Sequence, residues 1–163
     1  MKLTFTDLKT LLVPRGEDDR LRLHGRLEAR LYKADGSVLV RVKDNLIVDT
    51  GFSFIAQSVG LAAGRPNVMS HIGVGTGTTA SATGNTALVT EIARKAATFS
   101  HTTGTKTFQF EATFNAGEAT GAITEAGVFN ASTSGTLFDR VVFAVINKGA
   151  DDTLTQRFTF TMS

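Results

Sequence analysis

A two-residue alternation between Arg20 and Tyr32 constrains the fold of this chain more than any other feature. One face of that segment is apolar or small, and it comprises Leu21, Leu23, Gly25, Leu27, Ala29 and Leu31. The other face is polar, and it comprises Arg20, Arg22, His24, Arg26, Glu28 and Arg30. A period of two residues over this length predicts a β-strand with one buried face and excludes a helix.

Turn signals and further apolar segments follow at short spacing along the chain. The dipeptide Asp35-Gly36 predicts a hairpin whose return strand begins near Val38. More strands are predicted at residues 71–74, 105–114, 122–130, 137–146 and 153–162. Their predicted inward side chains include Phe108, Phe110, Ala112, Phe114, Leu154, Phe158, Phe160 and Met162. About seven or eight short strands predict a mainly β protein, an antiparallel β-sandwich or jelly roll.

One segment has the pattern of a short helix. The apolar residues at helical spacing are Phe52, Ile55, Ala56 and Val59. They are predicted to face the core, and Thr50 is predicted to cap the first turn. Residues 85–96 fit either one helical turn or a strand.

The first nineteen residues are predicted to form an arm (residues 1–19) that precedes the β domain (residues 20–163). Its apolar side chains, the candidate contact residues, are Leu3, Phe5, Leu8, Leu11 and Leu12. A short helix or an extended conformation both fit, and a piece of this size cannot bury its apolar side alone. We therefore expect it to dock on its own domain or on another subunit. Asp7 and Lys9 interrupt the apolar cluster and no cleavage site follows, which argues against a secretory signal.

Composition excludes several function classes. The chain of 163 residues contains no cysteine, which rules out disulfides and thiol catalysis. No apolar run reaches the roughly 20 residues that span a bilayer, so no membrane association is expected. A formal net charge of +2 is too small for a dedicated nucleic-acid binder. Twelve Phe without any Trp indicate aromatic rings that fill a core.

The Gly-rich stretch Gly73–Thr79 is the first candidate for chemistry. A phosphate-binding loop needs a Lys beside its final Ser or Thr, and a dinucleotide site needs a helix directly after the glycines. Neither follows here, so a structural loop is predicted. The three histidines, His24, His71 and His101, lie on separate segments, and no metal site or cofactor is predicted.

Glu91 and Glu125 are acids within otherwise apolar stretches. Two carboxylates could form an acid/base pair, as in glycosidases. The favoured alternative is structural, in which they cap a loop or pair with Arg94 or Arg140. We therefore predict no enzymatic activity and no small-molecule substrate. A carbohydrate-binding module would need exposed aromatic rings, whereas the Phe residues are predicted to face inward.

The arginines of the first strand form a stripe on its polar face. Its members are Arg20, Arg22, Arg26 and Arg30. The stripe is either a solvated outer face that discourages edge pairing, or an electrostatic contact with an acidic partner protein. Direct contact with nucleic acid is disfavoured because no aromatic residues interleave with the arginines.

Five segments occur in a fixed order along the chain: Asn45–Gly51, His71–Thr79, Thr86–Arg94, Ile123–Phe129 and Val145–Ala150. Together they resemble small structural proteins of tailed-bacteriophage particles. The portion from the Gly-Val-Gly-Thr-Gly run to Glu-x-x-Arg also resembles the N-terminal, particle-attaching part of tail-collar fibre proteins. The resemblance implies a protein of the virion, assembled in the host cytoplasm.

The resemblance implies binding to the major capsid protein or other virion proteins, with self-association. Because the chain ends at Ser163 without a coiled coil, collagen-like repeat or receptor-binding tip, we expect a capsid-decoration (cement) subunit that clamps neighbouring capsid proteins. The alternative is a tail, baseplate or fibre-anchoring adaptor.

Overall fold

The computed structural model describes residues 21–163, which contain nine strands and one helix. The elements are β1 (Leu23–Tyr32), β2 (Val38–Ile47), α1 (Asp49–Gly60), β3 (His71–Gly75), β4 (Glu91–Ala96), β5 (Thr98–His101), β6 (Thr107–Phe114), β7 (Gly121–Phe129), β8 (Leu137–Lys148) and β9 (Thr153–Met162). The prediction of a mainly β, antiparallel fold with one short helix is confirmed. The predicted arm lies outside the described residues.

The strands form one antiparallel sheet in the order β4-β3-β7-β8-β2-β1-β9-β6-β5. Two strands pass from one half of the sheet to the other. Strand β2 pairs with β1 as far as Asn45 and then with β8 at Leu46 and Ile47. Strand β4, paired with β3, continues through Ala97 into β5, which pairs with β6. Strands that change partners in this way make the corners of a folded-over sheet, here a nearly closed, barrel-like sandwich.

The alternation of β1 determines which of its faces is buried. Leu27, Ala29 and Leu31 have no exposed surface, as predicted. Leu21 is 77% exposed, so its predicted inward position is wrong. It lies beyond the last backbone pair at this end, where the N–H and C=O groups of Arg22 bond to Ser163 at 2.8 and 3.0 Å.

The later strands supply the aromatic core. Phe110, Phe158 and Phe160 are buried, which confirms their predicted orientation. The rings of Phe138 and Phe160 meet edge to face, with centroids 5.1 Å apart. Phe108 is half-buried and stacks on Phe160 with centroids 5.0 Å apart. One part of the core is therefore a cluster of packed aromatic rings.

The return strand β2 carries an exposed apolar row on the outer face of the sheet. Val38, Val40 and Val42, which we call the valine row, are between 41% and 52% exposed. Leu39, on the opposite side of the strand, packs against the core instead. The buried side of β2 therefore carries fewer apolar residues than its outer side.

Helix α1 is present as predicted, but its cap and its inward face were predicted wrongly. Val48 occupies the cap position, and the Thr50 hydroxyl donates instead to the carbonyl of Leu137 at 2.7 Å. Phe52 and Val59 are exposed. No helix in residues 21–163 is long and apolar enough to cross a bilayer.

A close approach between α1 and β8 sets the rotation of the helix. Gly51 is buried, and a Cβ added there would lie 2.1 Å from the carbonyl oxygen of Phe138. The residues three and four positions further, Phe54 and Ile55, consequently pack on the core. The glycine, rather than the apolar spacing, decides which helix face is inward.

The end of the barrel opposite α1 is closed by polar contacts. Asp152 accepts hydrogen bonds from the N–H groups of Ala34 at 3.0 Å and Gly149 at 2.8 Å. The ammonium group of Lys148 donates to the carbonyls of Asn115 at 3.0 Å and Asp152 at 2.7 Å. Burial lowers the pKa of Lys148 below its usual value. These bonds tie three loops together, and we call this the polar end.

The two helical glycines provide a matched test of the helix-strand contact. We expect Gly51→Ala to lower the free energy of unfolding by about 1–3 kcal/mol, because the added methyl group meets backbone that cannot move aside. Gly60→Ala has open space around it and should be neutral or stabilising by up to about 1 kcal/mol. Urea denaturation of both variants measures the difference. Equal effects would contradict this account of the helix orientation.

Candidate functional site

The Gly-rich loop is closed around a carboxylate of the same chain. Glu125 Oε1 accepts hydrogen bonds from the N–H groups of Gly77 at 3.0 Å and Thr90 at 2.7 Å, and Oε2 accepts one from Val89 at 3.0 Å. The Glu125 side chain has no exposed surface. The prediction of a structural loop is confirmed, since the anion held by its backbone is internal.

Arg140 completes the arrangement from the neighbouring strand. Its Nε and one terminal nitrogen donate to Glu125 Oε2 at 2.9 and 2.8 Å. The remaining N–H groups donate to the carbonyls of Thr79 at 2.9 Å and Ala80 at 3.3 Å and to Asn85 Oδ1 at 3.0 Å. All five guanidinium donors are thus used. We call this buried pair the Glu125–Arg140 clamp.

The ionisation of Glu125 follows from these contacts. Burial by itself disfavours the charged carboxylate. The backbone N–H groups of Thr90 and Val89, together with the Arg140 guanidinium, outweigh it and hold the pKa of Glu125 below its ordinary value. The carboxyl is therefore ionised at neutral pH and fully bonded, so it cannot act as a general acid.

The proposed acid/base pair of Glu91 and Glu125 is consequently wrong, and the structural alternative is confirmed for both. Glu91 binds Arg94 through two contacts of 2.7 and 2.6 Å. Arg94 also donates to the carbonyls of Ala131 at 3.0 Å and Ser134 at 2.6 Å. Its guanidinium carbon lies 3.5 Å from the centre of the Phe129 ring. Arg94 thereby ties β4 to the loop between β7 and β8.

Two glycines permit the loop to approach the clamp. A Cβ at Gly75 would lie 2.4 Å from the carbonyl oxygen of Thr90. A Cβ at Gly77 would lie 2.4 Å from Glu125 Oε1. The Thr124 hydroxyl donates to the Gly77 carbonyl at 2.9 Å. Both glycines are needed for close packing, not for contact with a phosphate.

A second buried acid was missed by sequence reasoning. Asp139 is fully buried, and it accepts a hydrogen bond from the N–H of Val128 at 3.1 Å and another from the Asn45 amide. Gly25 leaves room for Asn45, since a Cβ there would lie 2.1 Å from its amide oxygen. Burial raises the pKa of Asp139 to about 7, despite these two hydrogen bonds.

The histidines remain apart, as their spacing predicts. His24 lies 3.4 Å from Asp44, and the ring of His71 contacts the hydroxyl of Ser70 at 2.9 Å. Nδ1 of His101 contacts the Thr107 carbonyl at 2.8 Å. Residues 21–163 bring together no group of three or more side chains able to hold a metal ion.

The arginine stripe lies on the outer face of β1, apart from Arg20, which is outside the described residues, and Arg22, which precedes the strand. Arg22 and Arg26 are exposed. Arg30 is partly buried and binds Glu28 at 2.7 Å. The acids on this face therefore offset part of the positive charge. On the neighbouring strand β2, Val40 lies opposite Arg30 and Val42 lies opposite Glu28. The valine row and the arginine stripe therefore form one surface.

An apolar groove opens at the end of the barrel beside α1. It has a volume of about 500 Å³. Its lining includes Phe54, Val68, Phe99, Phe108, Phe138 and Met162. Phe99 is 57% exposed and Val68 is 74% exposed. Sequence reasoning missed this groove, because Phe99 and Val68 lie in segments without a clear period.

Comparison of the chain with protein-family models, curated proteins and solved structures finds no match. Within residues 21–163, the buried acids Glu125 and Asp139 are both bonded to protein groups. The exposed apolar side chains of residues 21–163 include those of the valine row and of the apolar groove.

The Glu125–Arg140 clamp makes a strong prediction for stability. Arg140→Met leaves a buried carboxylate without its cation, and we expect it to lower the free energy of unfolding by about 3–5 kcal/mol. As a control, Glu111→Gln breaks the exposed pair with Arg157 and should change it by less than about 1 kcal/mol. Urea denaturation provides the comparison. Similar losses in the two variants would show that the clamp is not the central contact.

Asp139 predicts a specific dependence of stability on pH. Between pH 3.8 and about 7, folded Asp139 retains a proton that the unfolded chain has released. As pH rises across this range, the contribution of Asp139 to the free energy of unfolding therefore falls by about 1.4 kcal/mol per pH unit. Above this range the contribution is constant. Asp139→Asn removes that contribution.

The stability of Asp139→Asn relative to the natural chain should accordingly improve as pH rises from 4 to 7 and then level off. Urea denaturation at intervals from pH 4 to 8.5 measures it. The control Asp35→Asn changes an exposed acid whose pKa is held below its usual value by hydrogen bonds from Ser37, so its relative stability should not improve as pH rises. A constant difference for Asp139→Asn would contradict the raised pKa.

Proposed function

We propose that this chain is a non-enzymatic structural protein of a tailed-phage virion, and that it acts as a capsid-decoration (cement) subunit packed between neighbouring capsid proteins. The resemblance of the five ordered segments supports the virion class. The observation that supports packing against other proteins is the valine row, an apolar strip exposed on the outer face of the sheet.

The valine row has the composition of a protein interface. Val40 and its neighbours lie beside Tyr32, itself 43% exposed, at the end of β1. Charged side chains of Glu28, Arg30 and Arg157 border the strip. An apolar centre with a charged rim is typical of surfaces that bind another protein. The predicted contact through the arginine stripe is thus extended to include the valines.

Three of the five segments that carry the resemblance meet inside the barrel. His71–Thr79 supplies Gly77, Thr86–Arg94 supplies Thr90, and Ile123–Phe129 supplies Glu125. These residues build the Glu125–Arg140 clamp. The likeness to virion proteins therefore lies in the residues that stabilise the scaffold, which supports a structural role.

The alternative, a tail, baseplate or fibre-anchoring adaptor, has an observation of its own. The portion that resembles the attachment part of tail-collar fibres, Gly73–Arg94, folds as a single unit of β3, the clamped loop and β4. A carbohydrate-binding role is less well supported. Phe110, Phe158 and Phe160 are buried, and the apolar groove offers few partners for sugar hydroxyls.

Copy number per particle distinguishes the two virion roles. We expect on the order of hundreds of copies by quantitative mass spectrometry of purified virions, because a decoration protein follows the symmetry of the capsid lattice. A few to a few dozen copies would place the protein in the tail, baseplate or fibre anchor. Absence from particles would overturn the proposal.

The same assay tests the valine row. Val40→Asp places a charge in the apolar strip and is expected to reduce incorporation at least several-fold. Val145→Asp is the matched control, since Val145 is similarly exposed on β8 outside the valine row. Equal incorporation of the two variants would remove the valine row from the interface.

A further inference from the structure

The two ends of the barrel differ in how they are closed. At the polar end, Asp152 and Lys148 bind loop backbone groups. At the other end the apolar groove leaves Phe99 and Val68 exposed. An exposed concave apolar surface is unfavourable in water, and such surfaces mark sites for an apolar partner.

The groove exists because the barrel does not close completely along one seam. The hydrogen bond from the Ala97 N–H to the Ser70 carbonyl, at 2.8 Å, is the last step of the β3–β4 ladder before the two segments diverge. Beyond it, β5 pairs with β6 and with no other described strand. Phe99 and Val68, on the diverging segments, both line the groove. His101, the one ionisable group in the lining, contacts the Thr107 carbonyl.

The chain enters the domain at the rim of this groove. Leu23, the first residue of β1, pairs with Met162, which lines the groove. From β1, strand β6 lies two positions along the sheet and β5 three, a distance of about 14 Å at the usual spacing. Seven residues, Pro14–Arg20, can span about 23 Å when extended. The preceding residues are therefore within reach of the side of the groove formed by β6 and β5.

We propose that Met1–Val13 of the same chain docks in the apolar groove. The apolar side chains that would enter it are Leu3, Phe5, Leu8, Leu11 and Leu12. Because this segment is attached at the groove rim, its effective concentration there is high. Binding of the chain's own segment is therefore favoured over binding of the same segment from a second copy. The inference is independent of the proposed function, because it concerns the isolated chain and needs no particle.

Cross-linking of the full chain tests the docking directly. The natural chain has no cysteine, so two introduced cysteines react without competition. One is placed in the arm at Thr4 or Thr6. The other is Val68→Cys at the groove or, as the matched control, Val145→Cys near the polar end. Both targets are exposed, so neither change disturbs the core.

The Val68 pair is the arm cysteine with Val68→Cys, and the Val145 pair is the arm cysteine with Val145→Cys. With a short bismaleimide, we expect the Val68 pair to react on the order of tenfold faster than the Val145 pair for at least one arm position. The product should have the mobility of a monomer, and its rate should not depend on protein concentration. Equal rates for both targets at both arm positions would overturn the proposal. Covalent dimers that increase with concentration would assign the groove to the arm of a second copy.

Arm variants separate apolar docking from simple proximity. Leu8→Asp should slow the reaction of the Val68 pair several-fold, to the rate that attachment of the arm at the groove rim gives without docking. Thr10→Asp adds the same charge without removing an apolar side chain, and should preserve the preference. If Leu8→Asp and Thr10→Asp react alike, the apolar side chain does not drive docking. Thermal unfolding followed by circular dichroism verifies that all variants are folded.

Discussion

The buried pair of Glu125 and Arg140 is the interaction on which the rest of this structure depends. Removing two charges from water is unfavourable, and mutual attraction alone seldom compensates. Here hydrogen bonds to both side chains compensate for their loss of hydration. The carboxylate accepts five hydrogen bonds, and the guanidinium uses all five donors. Through them, β7 and β8 hold the long connection between β3 and β4 and satisfy several of its buried backbone groups.

The clamp shares no residue with the valine row or the apolar groove. The interior is occupied by apolar side chains, and Glu125 is bonded to Arg140 and to loop backbone groups. The corners at Asn45 and Ala97 fold the sheet over while leaving one seam open. A rigid barrel of this kind presents two apolar surfaces, the valine row and the apolar groove.

Strands were predictable because burial of one face imposes a period of two that is visible locally, as in Leu27 and Leu31. Features set by distant contacts were not. The rotation of α1 depends on Gly51 meeting Phe138, and apolar spacing within the helix does not report that contact. Asp139 receives its hydrogen bond from Asn45, ninety-four residues earlier in the chain. The exposed side of β2 carries more valine than its buried side, so hydrophobicity alone could not assign its faces.

The Gly-rich loop shows how a binding motif and a structural motif share the same physics. Converging backbone N–H groups attract an anion, whether it belongs to a ligand or to the protein. In this chain the anion is Glu125, forty-eight residues after Gly77. Its sequence signal is an isolated acid in an apolar strand, while the loop lacks the lysine that a phosphate requires. Taken together, an isolated acid in an apolar strand and a Gly-rich loop without lysine predict that the loop binds a carboxylate of its own chain. A binding function is then expected elsewhere on the surface.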